Sequence, residues 1–244
     1  MSRAALITGA GQNIGRACAA ALAADGFNLV INGLKNRAAC EETAKIAEEL
    51  GVKTEIAMGD AGTREGCAAM AEAGLKAFGR IDVLVHNAAI RPSKPFLDMT
   101  DDDWDRVMDV NLGGSVWLAR ACLPGMVEAG WGRVVLFAGM NAIHGYNGRA
   151  PVSVSKHGNW GLAKSLGKEF GAKGITANMI SPGPIASDHE DPEMTAHINA
   201  QVGRIPVGRL GQPEEVAATV SLLASDKGAF INGQMIQVNG GAET

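Results

Sequence analysis

The chain has 244 residues, 46% hydrophobic and 20% charged, a globular composition with enough apolar side chains for a large core and too many for disorder. A formal net charge of −4 gives no reason to expect a nucleic-acid partner. Every apolar run falls far short of a membrane span, and the opening MSRAALITGAG has no signal-like apolar region with a cleavage site, so a cytoplasmic protein without membrane contact is expected.

Ala4 to Thr8 reads as a strand ending in Gly-Ala-Gly, followed by a helix through Ala24. Phe27 to Asn32 is the second strand, then comes the turn NGLKNR and an Ala- and Glu-rich helix from Ala38 to Leu50. Val52 to Met58 is the third strand, Thr63 to Phe78 a helix and Ile81 to His86 the fourth strand. Asp101 to Ala129 is a long helical stretch with an expected break near Pro124. Strands follow at Val134 to Ala138, Ile175 to Ser181 and Met235 to Val238, with helices beginning near Val152 and at Pro213. Short apolar strands alternating with longer helices predict a Rossmann-type doubly wound α/β fold. The sheet is expected to have seven parallel strands with helices on both faces. The whole chain, 1–244, reads as one domain. The four cysteines, Cys18, Cys40, Cys67 and Cys122, show no CxxC spacing and are expected as reduced, buried thiols.

The turn Thr8-Gly9-Ala10-Gly11-Gln12-Asn13-Ile14-Gly15 joins the first strand to the first helix. Glycines there let the backbone approach a pyrophosphate, and the helix N-terminus supplies oriented N–H groups. A tight turn needing φ > 0 accounts for the same glycines without a ligand. Asp60-Ala61 ends the third strand, and Asn87-Ala88-Ala89 ends the fourth. Both lie at carboxyl ends of parallel strands, where open α/β sheets bind ligands. The second strand ends in Asn32-Gly33-Leu34, with no acid before Glu41 to receive a ribose 2′-hydroxyl, while Lys35 and Arg37 follow at once. Those two cations are either surface charges or partners for a 2′-phosphate, which favours NADP(H) over NAD(H).

The pieces TGAGQNIG at 8–15, Asp60, HNAA at 86–89, Asn111 in DVNLGG, SK at 155–156, SPGPIAS at 181–187, PEEVA at 213–217 and INGQMIQVNGG at 231–241 together resemble the short-chain dehydrogenase/reductase family along the whole length. The resemblance implies a nicotinamide cofactor held by Gly9, Gln12, Asn13, Ile14, Gly15, Asn32, Lys35, Arg37, Asp60, Ala61, Asn87, Ala88, Ala89, Lys156, Pro182, Gly183 and Ile185. It also implies a substrate lid over about 185–210 and a homotetramer, with a dimer as the fallback. Gly158, Gly161 and Ala163 are expected to permit close helix approach across the tetramer axis.

In the family a helix Asn, a Ser, a Tyr and a Lys manage the proton while hydride moves to or from the nicotinamide. Asn111 and Lys156 match two of them. Gly139 stands at the Ser position and Val152 at the Tyr position. The proton donor is therefore expected to be atypical, with Tyr146 or His144 in its place and Asn141 and Arg149 facing the substrate. Restoring Gly139→Ser with Val152→Tyr is expected to create carbonyl reductase activity. The reaction implied is redox chemistry on a small carbonyl, imine or activated alkene. Alternatives are a non-redox lyase or isomerase on the same scaffold, or a catalytically silent subunit bound to a partner. No metal site is expected, because His189-Glu190-Asp191 and His197 lack a usual ligand spacing.

Overall fold

A computed structural model describes residues 2–139, 144–187, 200 and 202–243. Seven strands, β1 Ala4–Thr8, β2 Asn28–Gly33, β3 Thr54–Met58, β4 Val83–His86, β5 Gly132–Phe137, β6 Ile175–Pro182 and β7 Met235–Val238, form one parallel sheet in the order β3-β2-β1-β4-β5-β6-β7. The order reverses between β1 and β4, which opens a crevice at their carboxyl ends.

β1, β4 and β5 are buried at every residue, because helices cover both faces. α1 Asn13–Ala24, α2 Arg37–Glu49 and α7 Pro213–Ala224 lie on one face, packing Leu22, Ala44 and Val220 against Ile7, Leu29 and Val85. α3 Arg64–Phe78, α5 Gly114–Ala129 and α6 Ala150–Phe170 lie on the other, packing Met70, Leu118 and Leu166 against Leu6, Leu84 and Met179. The side chains of Asn36 and Thr63 accept bonds from Ala39 and Gly66 N–H and so cap α2 and α3. Gly79 and Gly130 end α3 and α5 at left-handed φ of 74° and 63°. All four cysteines are free and buried, and burial pushes the Cys18, Cys67 and Cys122 thiols up to about 12.

Two sequence expectations need correction. The stretch from Asp101 does not break at Pro124, which lies inside α5. Pro124 is exposed, so its ring sits on the solvent side of the helix. The break is a π-helical segment, Asp109–Gly113, between α4 Asp101–Met108 and α5. The small residues of α6 do not form one outward stripe either. Ala163 is fully buried in the chain's own core, and a Cβ on Gly158 would meet Leu112 at 2.8 Å. Only Gly161 has open space before it.

Candidate active site

The turn after β1 is shaped by contacts that only glycine permits. Gly9 sits at φ +62°, and a Cβ on Gly15 would lie 2.0 Å from Gly9 O and 2.8 Å from Asn87 Nδ2. Asn13 occupies φ +48°, a left-handed conformation that asparagine tolerates better than most residues. Gln12 is the N-cap of α1 but makes no side-chain capping bond, and the first turn carries no acid. Arg16 donates to Gly11 O at 2.7 and 3.1 Å and pairs with Glu42. This combination of close backbone, uncapped helix start and nearby cation suits a pyrophosphate.

A buried hydroxyl–imidazole knot fixes the neighbouring strand end. Thr8 Oγ1 accepts from Asn87 N at 3.1 Å and Ala88 N at 3.0 Å, and lies 3.1 Å from His86 Nδ1. His86 Nε2 lies 3.1 Å from Val110 O, a group that only accepts, so Nε2 carries the proton and Nδ1 accepts from Thr8. Burial first, then the charge of Lys156, lowers the His86 pKa to about 4, and the ring is neutral. The Asn87 side chain donates to Thr8 O and Gly9 O, tying β4 to the glycine turn. The sequence places His86 only within the HNAA motif at 86–89, without this role. The signal was a lone polar side chain at the end of an apolar strand.

Asn32 is buried, accepting from Gly9 N at 3.3 Å and donating to Ala57 O and Gly59 O. It braces the ends of β1 and β3. Lys35 and Arg37 are exposed beyond it, with Arg37 3.7 Å from Glu41. Asp60 accepts from Gly62 N at 2.8 Å and pairs with Arg106 at 2.9 Å. Burial alone would raise its pKa, but the Gly62 N–H and Arg106 outweigh it and hold the carboxyl below its usual value. Ala61 is buried, and a Cβ on Gly114 would lie 2.4 Å from its carbonyl. At the far side, Gly183 N donates to Val238 O, and Ile185 pairs with Gly211 in a single bridge beyond Pro182.

Val152 and Lys156 lie one turn apart within α6, both buried. Lys156 Nζ donates to Phe137 O at 2.7 Å. Burial first, then the positive charge of Arg91, lowers its pKa to about 7. Ser155 Oγ donates to Val152 O. Asn111, in the π-helical segment, is fully buried, and its side chain accepts from Ile90 N at 2.9 Å and donates to Ile90 O at 3.0 Å and Ser155 Oγ at 3.3 Å. Its main-chain carbonyl accepts from Asn159 Nδ2 at 2.6 Å. Asn111 thus clamps the chain after β4 against α6.

The loop residues separate. His144 is exposed and paired with Glu243 near the C-terminus. Tyr146 is 42% exposed. Arg149 is the N-cap of α6. Asn141 lies outside the described residues, as do His189, Glu190, Asp191 and His197. Gly139 has φ +130°, where a serine side chain would be strained.

The parallel sheet, with a glycine turn at the point where its strand order reverses, defines a Rossmann-like doubly wound α/β protein. The family model described as Enoyl-(Acyl carrier protein) reductase matches residues 9–243. The chain is 34% identical to the 3-oxoacyl-[acyl-carrier-protein] reductase FabG of Staphylococcus aureus, over 99% of this chain and 98% of that one. It is 39% identical to the acetoacetyl-CoA reductase of Rhizobium meliloti, again over 99% and 98%. Among solved structures it is similar to acetoin dehydrogenase YohF from Salmonella typhimurium, with a TM-score of 0.90, 30% identity and coverage of 99% and 96%. A short-chain alcohol dehydrogenase-like structure from Sinorhizobium meliloti superposes with a TM-score of 0.92 at 28% identity, covering 99% and 97%. The chain belongs to the short-chain dehydrogenase/reductase family, a family of oxidoreductases. Among the described residues no helix is long and apolar enough to cross a membrane.

Proposed function

We propose that the protein is an NADP(H)-dependent oxidoreductase acting on a small carbonyl, imine or activated-alkene substrate with a proton donor other than the family's tyrosine. The observation that carries the reading is the buried Lys156 ammonium, held on Phe137 O beside the switch-point crevice, across from a glycine turn that admits no side chain at Gly15. The relatives named for 3-oxoacyl, acetoacetyl and acetoin substrates favour a carbonyl or its alcohol. When bound, the nicotinamide supplies or accepts the hydride. Gly9, Gln12, Asn13, Ile14 and Gly15 would hold the pyrophosphate, and Asp60, Ala61, Asn87, Ala88 and Ala89 the adenosine side and its linkage. Asn32 shapes that crevice, and Lys35 and Arg37 would meet a 2′-phosphate. Lys156 would hold the nicotinamide ribose, with Pro182, Gly183 and Ile185 closing over the ring. Asn111 positions the chain after β4, and its main-chain and side-chain oxygens, each accepting one bond, keep a lone pair for a water in the proton relay.

Of the loop donors, His144 carries the stronger case, because Glu243 pairs with its ring and orients it. Tyr146 stands as the alternative, and Asn141 and Arg149 as substrate contacts. A fluorescence titration with NADPH and NADH tests the cofactor reading. NADPH is expected to bind at least about tenfold tighter than NADH, and failure to bind either at millimolar concentration would end it. His144→Gln is expected to cut turnover by about 10²-fold or more, whereas a loss confined to Tyr146→Phe would transfer the role to Tyr146.

A second reading is a catalytically silent subunit, favoured by the complete burial of the inert Val152. Tight NADPH binding without oxidation by any carbonyl, imine or enone would support it.

A further inference from the structure

Two chain segments meet above the buried ammonium of Lys156. One follows β4 and runs through Arg91 to Lys94, and the other precedes α6 and ends at Arg149. Lys94 N donates to Gly148 O at 2.9 Å, and Gly148, at φ +71°, leaves only 2.9 Å between an added Cβ and Ser93 Oγ. The first segment is fixed at its root, because Asn111 bonds both the N–H and the C=O of Ile90. Arg91 and Arg149 are thereby brought together from segments far apart in sequence.

Elsewhere Arg16, Arg80, Arg106 and Arg209 each hold a carboxylate. Arg91 and Arg149 hold none among the described residues, and their guanidinium groups have no hydrogen-bond partner there. Among the described residues, Asp103 is already committed to Lys94 and Glu243 to His144. Arg91 is exposed, and desolvation first, then the charge of Arg149, lowers its pKa. Its own charge in turn bears on Lys156. Three cations thus converge with no anion paired to Arg91 or Arg149 among the described residues. Like charges held this close repel, and a ligand anion relieves the repulsion while accepting charge-assisted bonds.

We propose that Arg91 and Arg149 form a recognition site for an anionic group on the substrate, a carboxylate or a phosphate, held beside Lys156. The inference rests on the oxidoreductase reading and narrows its substrate to molecules carrying a negative charge near the reacting carbon. Arg91 and Arg149 are specificity-determining residues here, and the pairing of two guanidinium forks suits a planar carboxylate or a phosphate.

The test is isothermal titration of the full chain with two pairs of probes, acetoacetate against methyl acetoacetate and glycerol 3-phosphate against glycerol, with and without saturating NADP+. At least one anion is expected to bind about tenfold or more tightly than its uncharged counterpart. The pair that shows the preference distinguishes carboxylate from phosphate. The preference is expected to disappear in the Arg91→Gln/Arg149→Gln double variant, with NADPH affinity unchanged. Equal binding of anion and neutral probe by the wild type, or a preference that survives in the double variant, overturns the proposal. Anion preference in a chain that binds neither NADPH nor NADH would leave this site standing and bring down the oxidoreductase reading instead.

Discussion

Lys156 and His86 are both buried titratable side chains whose charged forms the fold disfavours, and each makes stability depend on pH. For Lys156 the folded pKa is about 7 against an ordinary 10.5. Between those values the unfolded chain binds a proton that the folded site has lost, so stability rises with pH across the window. The penalty is complete below pH 7 and gone above 10.5. Lys156→Met gives up the bond to Phe137 O but removes the penalty. Its melting temperature relative to the wild type, measured without cofactor, is therefore expected to fall steadily from pH 7 to pH 10. A flat difference would mean that the ammonium is not desolvated. For His86 the window runs from 6.5 down to about 4. Stability is lost as the pH falls through it, by on the order of 3 kcal/mol at full titration. His86→Asn, which keeps a donor and an acceptor, is expected to flatten the acid limb of the stability profile. An unchanged limb would assign acid unfolding to other groups. Neither effect was legible in the sequence, since both depend on what is packed around the side chain.

At the scale of single elements, the α1 turn and α6 carry the functional contrast. The turn was legible, because glycines between an apolar strand and a helix mark a tight backbone turn. Its stringency was not legible, since the 2.0 Å that an added Cβ on Gly15 would leave to Gly9 O arises from how the turn folds back. Gly15→Ala is expected to cost about 1–3 kcal/mol of stability and to weaken NADPH binding at least about tenfold. Full affinity in that variant would place the cofactor elsewhere. Strand ends were read slightly long at Phe27 and Ile81. Both are buried at 6% and 3% exposure yet lie outside the ladder, so apolar character marked burial rather than pairing. The family's serine and tyrosine positions, Gly139 before α6 and Val152 within it, do not have equal prospects of restoration. Val152 sits four residues before Lys156 on one helix face, so Val152→Tyr alone places a phenol toward the lysine. Gly139→Ser must also overcome φ +130°. The single variant Val152→Tyr is therefore expected to raise carbonyl reduction at least about tenfold, with little further gain from Gly139→Ser. No gain from the tyrosine would show that proton supply does not limit the reaction.

For the whole molecule, the alternation of strand and helix made the sheet legible, but not what its outer surfaces meet. Several large apolar side chains stay exposed, among them Val154 at 46%, Phe96 at 64% and Phe230 at 102%, and such groups become assembly surfaces when they gather on one face. Along α6, Val154, Gly158 and Gly161 follow the i, i+4, i+7 spacing of one helix face, with Gly158 against Leu112, while Ala163 turns inward. The helix thus keeps a narrow flat strip available to another copy, smaller than the run of small residues suggested. The homotetramer expected from the family resemblance would seat that strip across a twofold axis, where each residue meets its own counterpart region. Light scattering at micromolar concentration is expected to give a mass near four times the 25.2 kDa chain. Val154→Arg would bring two like charges together across such an axis and is expected to shift the population towards dimer or monomer without lowering NADPH affinity. A wild-type chain that runs as a monomer, or a Val154→Arg variant that stays tetrameric, would exclude α6 as the mating element.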